Sequence, residues 1–162
     1  MVPAGQFTMG TNGEDGREDD EVPARTVTIA QSFAMGKYEV TFDEWDACVA
    51  AKACEKTADE AWGRGRRPAI NINYAQANAY VKWLSTTTGK EYSLGNVWEW
   101  VADCYRPNYA NAPADGSAVA AEKCMKHLSR GGSWNIFPAW VRAGYRYGLQ
   151  GELRASNLGF RV

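Results

Sequence analysis

The sequence predicts a single loop-rich α+β domain with about two helices and short antiparallel strands. Three observations lead there. The chain has 162 residues, enough for one domain with a real hydrophobic core. It carries 16 glycines, 7 tryptophans and 8 tyrosines, so many turns must be held together by aromatic packing. Only two stretches show helical periodicity, and the remaining patterned segments are short and alternate with period two.

The elements follow in chain order. "GQFTMG" and "RTVTIAQSF" read as strands, with Thr26 and Thr28 alternating against Val27 and Ile29. Between them, "TNGEDGREDDEVPA" reads as an acidic, turn-rich loop. Its cluster Glu18, Asp19, Asp20 and Glu21 could meet a hard cation. The spacing matches no calcium loop, and a solvated hairpin loop is the default.

"KYEVTFDEWDACVAA" reads as a strand running into a helix. Thr41 is placed to cap that helix, and Glu44 three residues later completes a capping box. "ACEKTADEAWGRGRRPAI" is irregular. Its Arg64, Arg66 and Arg67 could meet an anion, although a solvated loop is the simpler reading. "NYAQANAYVKWLSTTTG" is the clearest helix: Asn73 caps it, Ala77, Tyr80, Val81 and Leu84 share one face, and Gly89 ends it. "RPNYANAPADGSAVAAEKC" is a loop, and "KHLSRGGSW" and "LGFRV" read as short strands. No repeat, low-complexity tract or linker divides the chain, so residues 1–162 form one domain.

Several function classes are disfavoured. Apolar residues make up 45 % and charged residues 23 %, and 18 basic against 19 acidic side chains leave a net charge of −1. That balance gives no electrostatic case for nucleic acid or an anionic membrane. No apolar run of the roughly 18 residues a membrane span needs is present, and "MVPAGQFTMG" reads as strand rather than as a leader peptide. The single histidine, His127, has no evident carboxylate partner and reads as structural rather than catalytic. "RGG" and "GRGRR" do not follow the strand–loop–helix order of a phosphate loop.

Four cysteines are present, Cys48, Cys54, Cys104 and Cys124. None forms a Cys-x-x-Cys pair, so zinc is poorly supported. The spacing and the intervening loops fit two disulfides, Cys48–Cys54 and Cys104–Cys124, with free buried thiols as the alternative. Paired cysteines would mean an oxidising compartment and an exported or cell-surface protein. Glu99, between two tryptophans in "GNVWEW", should be partly buried. It then needs an arginine or a calcium ion beside it.

The words "MVPAGQFTMG", "GKYEVT", "RRPAINI", "GNVWEWVADCY", "RGGSW" and "NLGFRV" occur in order along nearly the whole chain. Together they resemble the formylglycine-generating enzyme (sulfatase-modifying factor) family. The resemblance implies a C-type lectin-like fold with little regular secondary structure. Members oxidise a sulfatase cysteine to formylglycine with two copper-binding cysteines that follow the GGS word. Aligned on "GGSW", those positions are Ile136 and Val141 here. Neither can supply the thiolate that binds copper and meets substrate. Copper is therefore not expected, and neither is the oxidase activity. A related iron-dependent sulfur-transfer oxidase would need a set of histidines that a single His127 cannot provide.

The family also carries a long segment that is missing here between Tyr92 and Leu94, either deleted or left out of this chain. Its loss removes calcium ligands. Gly95, Val97 and Glu99 match what remains of one calcium site.

The stretch "SWNIFPAWVRAGY" neither alternates nor repeats at helical spacing, yet it is crowded with bulky apolar side chains. Residues 130–162 resemble the variable region of proteins diversified by retroelements. There a mutating reverse transcriptase scatters side chains over a binding face on a rigid C-type lectin-like scaffold. "RGGSW", Pro138, Val141, Arg142, Arg146, Arg154 and "NLGFRV" match the framework, and Trp134 belongs to its core. The positions implied to bind ligand are Ile136, Phe137, Ala139, Trp140, Tyr145, Tyr147, Gly148, Leu149, Gln150, Leu153, Ala155 and Ser156. Independently of the resemblance, apolar side chains gathered on loops mark a partner surface, and Tyr and Trp are the usual anchors there. Packing of the same residues into the core is the alternative. The reading is a non-catalytic binding protein with a protein or cell-surface ligand and no certain cofactor.

Overall fold

The computed structural model describes residues 1–13, 21–94, 100–119, 123–131 and 145–162. The described elements are β1 (Gly5–Met9), β2 (Arg25–Ile29), α1 (Phe42–Ala50), α2 (Tyr74–Thr88), β3 (Trp100–Cys104), β4 (His127–Arg130) and β5 (Arg146–Leu149). β1 and β2 pair antiparallel, and β3–β4–β5 form a second antiparallel sheet in that order. Among the described residues the fold is thus α+β, loop-rich and two-helical, as the sequence predicts.

Both helices begin where their caps require. The Thr41 hydroxyl accepts from the Glu44 N–H, and the Glu44 carboxylate accepts from the Thr41 N–H at 2.7 Å. Asn73 and Gln76 make the same reciprocal pair at the start of α2. Each cap satisfies donors that an open helix end leaves without partners. Gly89 closes α2 in the left-handed conformation, at φ 67°, and its N–H reaches the Ser85 carbonyl. A side chain there would be strained.

The core lies between the two helices, β3 and the C-terminal segment. Trp45 of α1 stacks on Tyr80 of α2 with ring centroids 5.7 Å apart, and Phe160 meets both rings edge-on. Ile72, Ala77, Trp100 and Leu158 belong to the same cluster, with Phe42, Val40 and Leu94 among others. These rings meet in stacked and edge-to-face contacts that favour one packing geometry.

Two predicted strands are not ladders among the described residues, for one shared reason. The Val40 N–H donates to Phe160 while the Val40 carbonyl accepts from Ala69, and the Gly159 carbonyl accepts from Trp100. Residues 37–40, which bend at 37–38, and "LGFRV" form no ladder because each splits its hydrogen bonds between different neighbours. Conversely, β5 forms where the sequence reads as loop. It is registered on β4 from Arg130↔Arg146 to His127↔Leu149.

The basic run also resolves differently. Arg64 is no anion site. It forms a two-pronged pair with Asp46, donates to the Thr57 carbonyl at 2.9 Å and lies 4.2 Å from the Phe42 ring centre. These donors hold the Asp46 carboxyl below its usual range. Arg66 and Arg67 are exposed, as a solvated loop requires. Glu21 departs from the solvated acidic loop, because it is 1 % exposed. Glu18, Asp19 and Asp20 lie outside the described residues.

Candidate functional site

The stretch with the unusual composition leaves the second sheet at Arg130 and returns to it at Arg146, which face each other across the β4–β5 ladder. Its exit and entry are therefore fixed by strand pairing. Beneath this point Tyr109 gathers three arginines. Arg130 donates to its hydroxyl at 2.7 Å, Arg25 donates to its carbonyl at 2.9 Å, and the Arg146 guanidinium lies 4.4 Å from its ring centre. Arg146 is 5 % exposed and also faces the Tyr105 ring, 5.3 Å away. Cation–π contact of this kind lets an arginine stay buried at the start of β5. Sequence patterning carries no signal for Tyr109: it sits in a Pro/Asn-rich loop with no periodic pattern around it.

Past β5 the backbone is anchored again. The Gly151 carbonyl accepts from Tyr74 at 3.0 Å, the Ala155 carbonyl accepts from Asn71 at 3.2 Å, and Leu153 N–H turns back to Gln150 at 3.0 Å. The segment 147–156 is thus tied to the start of α2, and it presents side chains from a fixed backbone.

The structure sorts the predicted ligand positions. Tyr147 is 47 % exposed and Leu153 42 %, and Gln150 and Ser156 are exposed beside them. These four recur at every third residue and point to solvent. Tyr145 departs from the expectation. It is 8 % exposed and offers a partner almost no area as the chain stands. Leu149 and Ala155 pack against the core, and Gly148 lies half-buried against the Tyr105 ring. Ile136, Phe137, Ala139 and Trp140 lie outside the described residues, as do Trp134 and Val141.

The candidate calcium residues Gly95, Val97 and Glu99 also lie outside the described residues. Among the described residues, no group of three or more His, Cys, Asp or Glu side chains could hold a metal ion. Among them, too, no helix is long and apolar enough to cross a membrane.

All four cysteines are paired, Cys48 with Cys54 and Cys104 with Cys124, and none is free. The pairing predicted from spacing is the one observed, and it points to an oxidising environment.

Comparison with known proteins fixes the lineage of this scaffold. The model of the sulfatase-modifying factor enzyme 1-like domain matches residues 1–94 and 89–162. The chain belongs to this family. The two matches meet at residues 89–94, where Ser93 follows Tyr92 directly. Formylglycine-generating enzymes of Mus musculus and Bos taurus are each 46 % identical to it over 48 residues, which is 30 % of this chain. The match spans only 13 % of the length of those relatives. PvdO from Pseudomonas aeruginosa superposes with a TM-score of 0.84 at 30 % identity, covering 98 % of this chain and 90 % of that one. Treponema denticola variable protein 1 superposes with a TM-score of 0.65 at 16 % identity, covering 99 % of this chain and 92 % of that one. At that identity the likeness is one of fold.

Proposed function

We propose that this member of the sulfatase-modifying factor enzyme 1-like family is a non-catalytic binding protein. Its ligand face is carried by residues 135–156, and that face is diversified by a retroelement. The observation that carries the first part is the cysteine inventory. Formylglycine-type chemistry requires a thiolate. Ile136 and Val141 stand where the family's copper-binding cysteines align, and every cysteine of this chain is held in a disulfide. The binding part is supported by Tyr147, a large side chain held outward on β5, and by Leu153, held outward on the following loop whose backbone is bonded to Asn71 and Tyr74. Rigid presentation spares the ordering entropy that a floppy loop would lose on binding. The fold likeness to a protein named as variable agrees with this reading. A protein or cell-surface partner, met by an exported or surface-held chain, suits a face of this character.

The test has two arms. The first captures partners from surface-protein extracts with the wild-type chain, then measures affinity for the captured partner with Tyr147→Ala/Leu153→Ala. At least a tenfold loss is expected, the usual size for central aromatic anchors, with an unchanged melting midpoint. Undiminished affinity removes these residues from the face. The second arm sequences codons 130–162 across a population of the source organism. Substitutions clustering at 136, 137, 139, 140, 147, 150 and 153, with Arg142, Arg146 and Arg154 fixed, support diversification. An invariant stretch refutes it.

The competing oxidase reading rests on the short likeness to formylglycine-generating enzymes. Incubation with a Cys-x-Pro-x-Arg peptide and copper decides it, and no aldehyde product is expected. Calcium belongs to the proposal through Gly95, Val97 and Glu99. Two backbone carbonyls and one carboxylate fall well short of the six to eight oxygens calcium takes, so water or the ligand would complete the shell. A melting midpoint that rises in millimolar calcium against chelator, and no longer does so in Glu99→Gln, is the expected result. Superposable melts dismiss the site.

A further inference from the structure

The two disulfides sit in different surroundings. Cys48 is fully buried, and the N–H groups of Ala53 and Cys54 both reach its carbonyl, at 3.1 and 3.4 Å. The backbone itself therefore holds that pair together. Cys104 is buried at the end of β3, whereas Cys124 is half-buried in the chain entering β4. The Sγ of Cys124 lies 3.5 Å from Nδ1 of His127.

That imidazole is fixed in place. His127 stands opposite Cys104 in the β3–β4 register. Its ring stacks on Tyr74 with centroids 3.5 Å apart and meets Trp100 edge-on at 6.3 Å. Gly151 closes the far side, where even a Cβ would come within 2.9 Å of the ring. Tyr74, Trp100 and Gly151 thus pack around a half-buried ring whose Nδ1 faces the sulfur. Burial pushes its pKa down and so favours the neutral ring; in the tautomer that carries its hydrogen on Nε2, the Nδ1 beside Cys124 is the proton acceptor.

We propose that Cys104–Cys124 is a thiol–disulfide exchange site, with Cys124 as the attacked sulfur, His127 as its proton carrier and a dithiol as the reductant. His127 Nδ1 takes the proton of the incoming thiol. The resulting thiolate attacks Sγ of Cys124, the S–S bond breaks, and its electron pair goes to Sγ of Cys104, which takes up a proton. The reductant's second thiol then attacks the mixed disulfide. It leaves as an oxidised disulfide, and Cys124 departs as a thiolate that is protonated in turn. Two electrons and two protons pass from the dithiol to the protein. The opening is local. The segment between the two cysteines stays tied by Cys104 N–H to Val119 at 2.9 Å, Val119 N–H to the Asp103 carboxylate at 2.7 Å and Thr28 N–H to Ala114 at 2.7 Å. Cys48–Cys54 serves as an internal control that lacks the histidine.

The test is timed reduction of the whole chain with limiting dithiothreitol at pH 7. It is quenched by alkylation and read as labelling of each cysteine by peptide mass spectrometry. Cys104 and Cys124 should label at least tenfold faster than Cys48 and Cys54. His127→Phe keeps a ring to stack on Tyr74 but removes the nitrogen. It should slow Cys104–Cys124 opening several-fold and leave the Cys48–Cys54 rate unchanged. Equal rates for the two wild-type disulfides overturn the proposal. So does a Cys104–Cys124 rate in His127→Phe that is unchanged or faster. If His127→Phe does not fold, His127→Gln is read by the same criteria, and the wild-type comparison stands by itself.

Discussion

Trp100→Ala is expected to cost about 3–5 kcal/mol of stability, the range for emptying a large aromatic from a packed core. Trp100 is 0 % exposed at the first position of β3. Its indole N–H donates to the Ile72 carbonyl at 2.9 Å in a fully buried bond, and its own N–H reaches Gly159 at 3.2 Å. Its ring edge-packs Tyr74 at 5.7 Å. The truncation therefore removes three things together. It deletes apolar volume that the surrounding rings cannot refill, leaves the buried Ile72 carbonyl without its donor, and frees Tyr74 at the base of the exposed loop. The effect should appear as a lower urea midpoint with an unchanged slope. Tyr38→Ala is the control: Tyr38 is 71 % exposed, and its loss should stay within about 0.5 kcal/mol. A Trp100→Ala loss under about 1.5 kcal/mol would mean that the core is not organised around this residue.

What the sequence made legible is what is decided locally. Both helices were readable because a cap and its partner three residues on are a contiguous pattern, and Thr41–Glu44 and Asn73–Gln76 both form as written. The disulfide pairing was readable because each cysteine's partner is the next one along the chain. What failed depends on partners distant in sequence. β5 has no alternating pattern because Arg146, normally a surface residue, is buried against Tyr105 and Tyr109, and Gly148 has no side chain to contribute. Glu21 looked solvated because its neighbours in sequence are acidic, while its burial is set by the fold around it. The candidate face was legible in its composition only. That Tyr147 and Leu153 face out while Tyr145 is buried follows from the β4–β5 register and the turn at Gln150, neither of which has a sequence signal.

Gly148→Ala is expected to destabilise the chain by about 1–3 kcal/mol, the usual cost of adding volume where there is none to spare. A Cβ at this position would lie 2.7, 2.9 and 3.0 Å from three carbons of the Tyr105 ring. That ring cannot move aside freely. Its backbone N–H is bonded to Lys126 at 2.9 Å, its neighbour Cys104 is disulfide-bonded, and Arg146 lies 5.3 Å from its face. The consequence reaches the proposed binding face, because Gly148 sits among the candidate ligand positions and next to Tyr147. A position that varies to suit ligands must accept side chains, and this one can accept none without displacing Tyr105. Tyr147→Ala, one residue away and pointing to solvent, should leave the midpoint within about 0.5 kcal/mol of wild type. The same asymmetry should appear in a diversified population, with glycine retained at 148 while 147, 150 and 153 change. Bulky residues at 148 in folded variants, or an unshifted midpoint for Gly148→Ala, would show that the β4–β5 hairpin yields at this point. The face would then extend onto β5 itself.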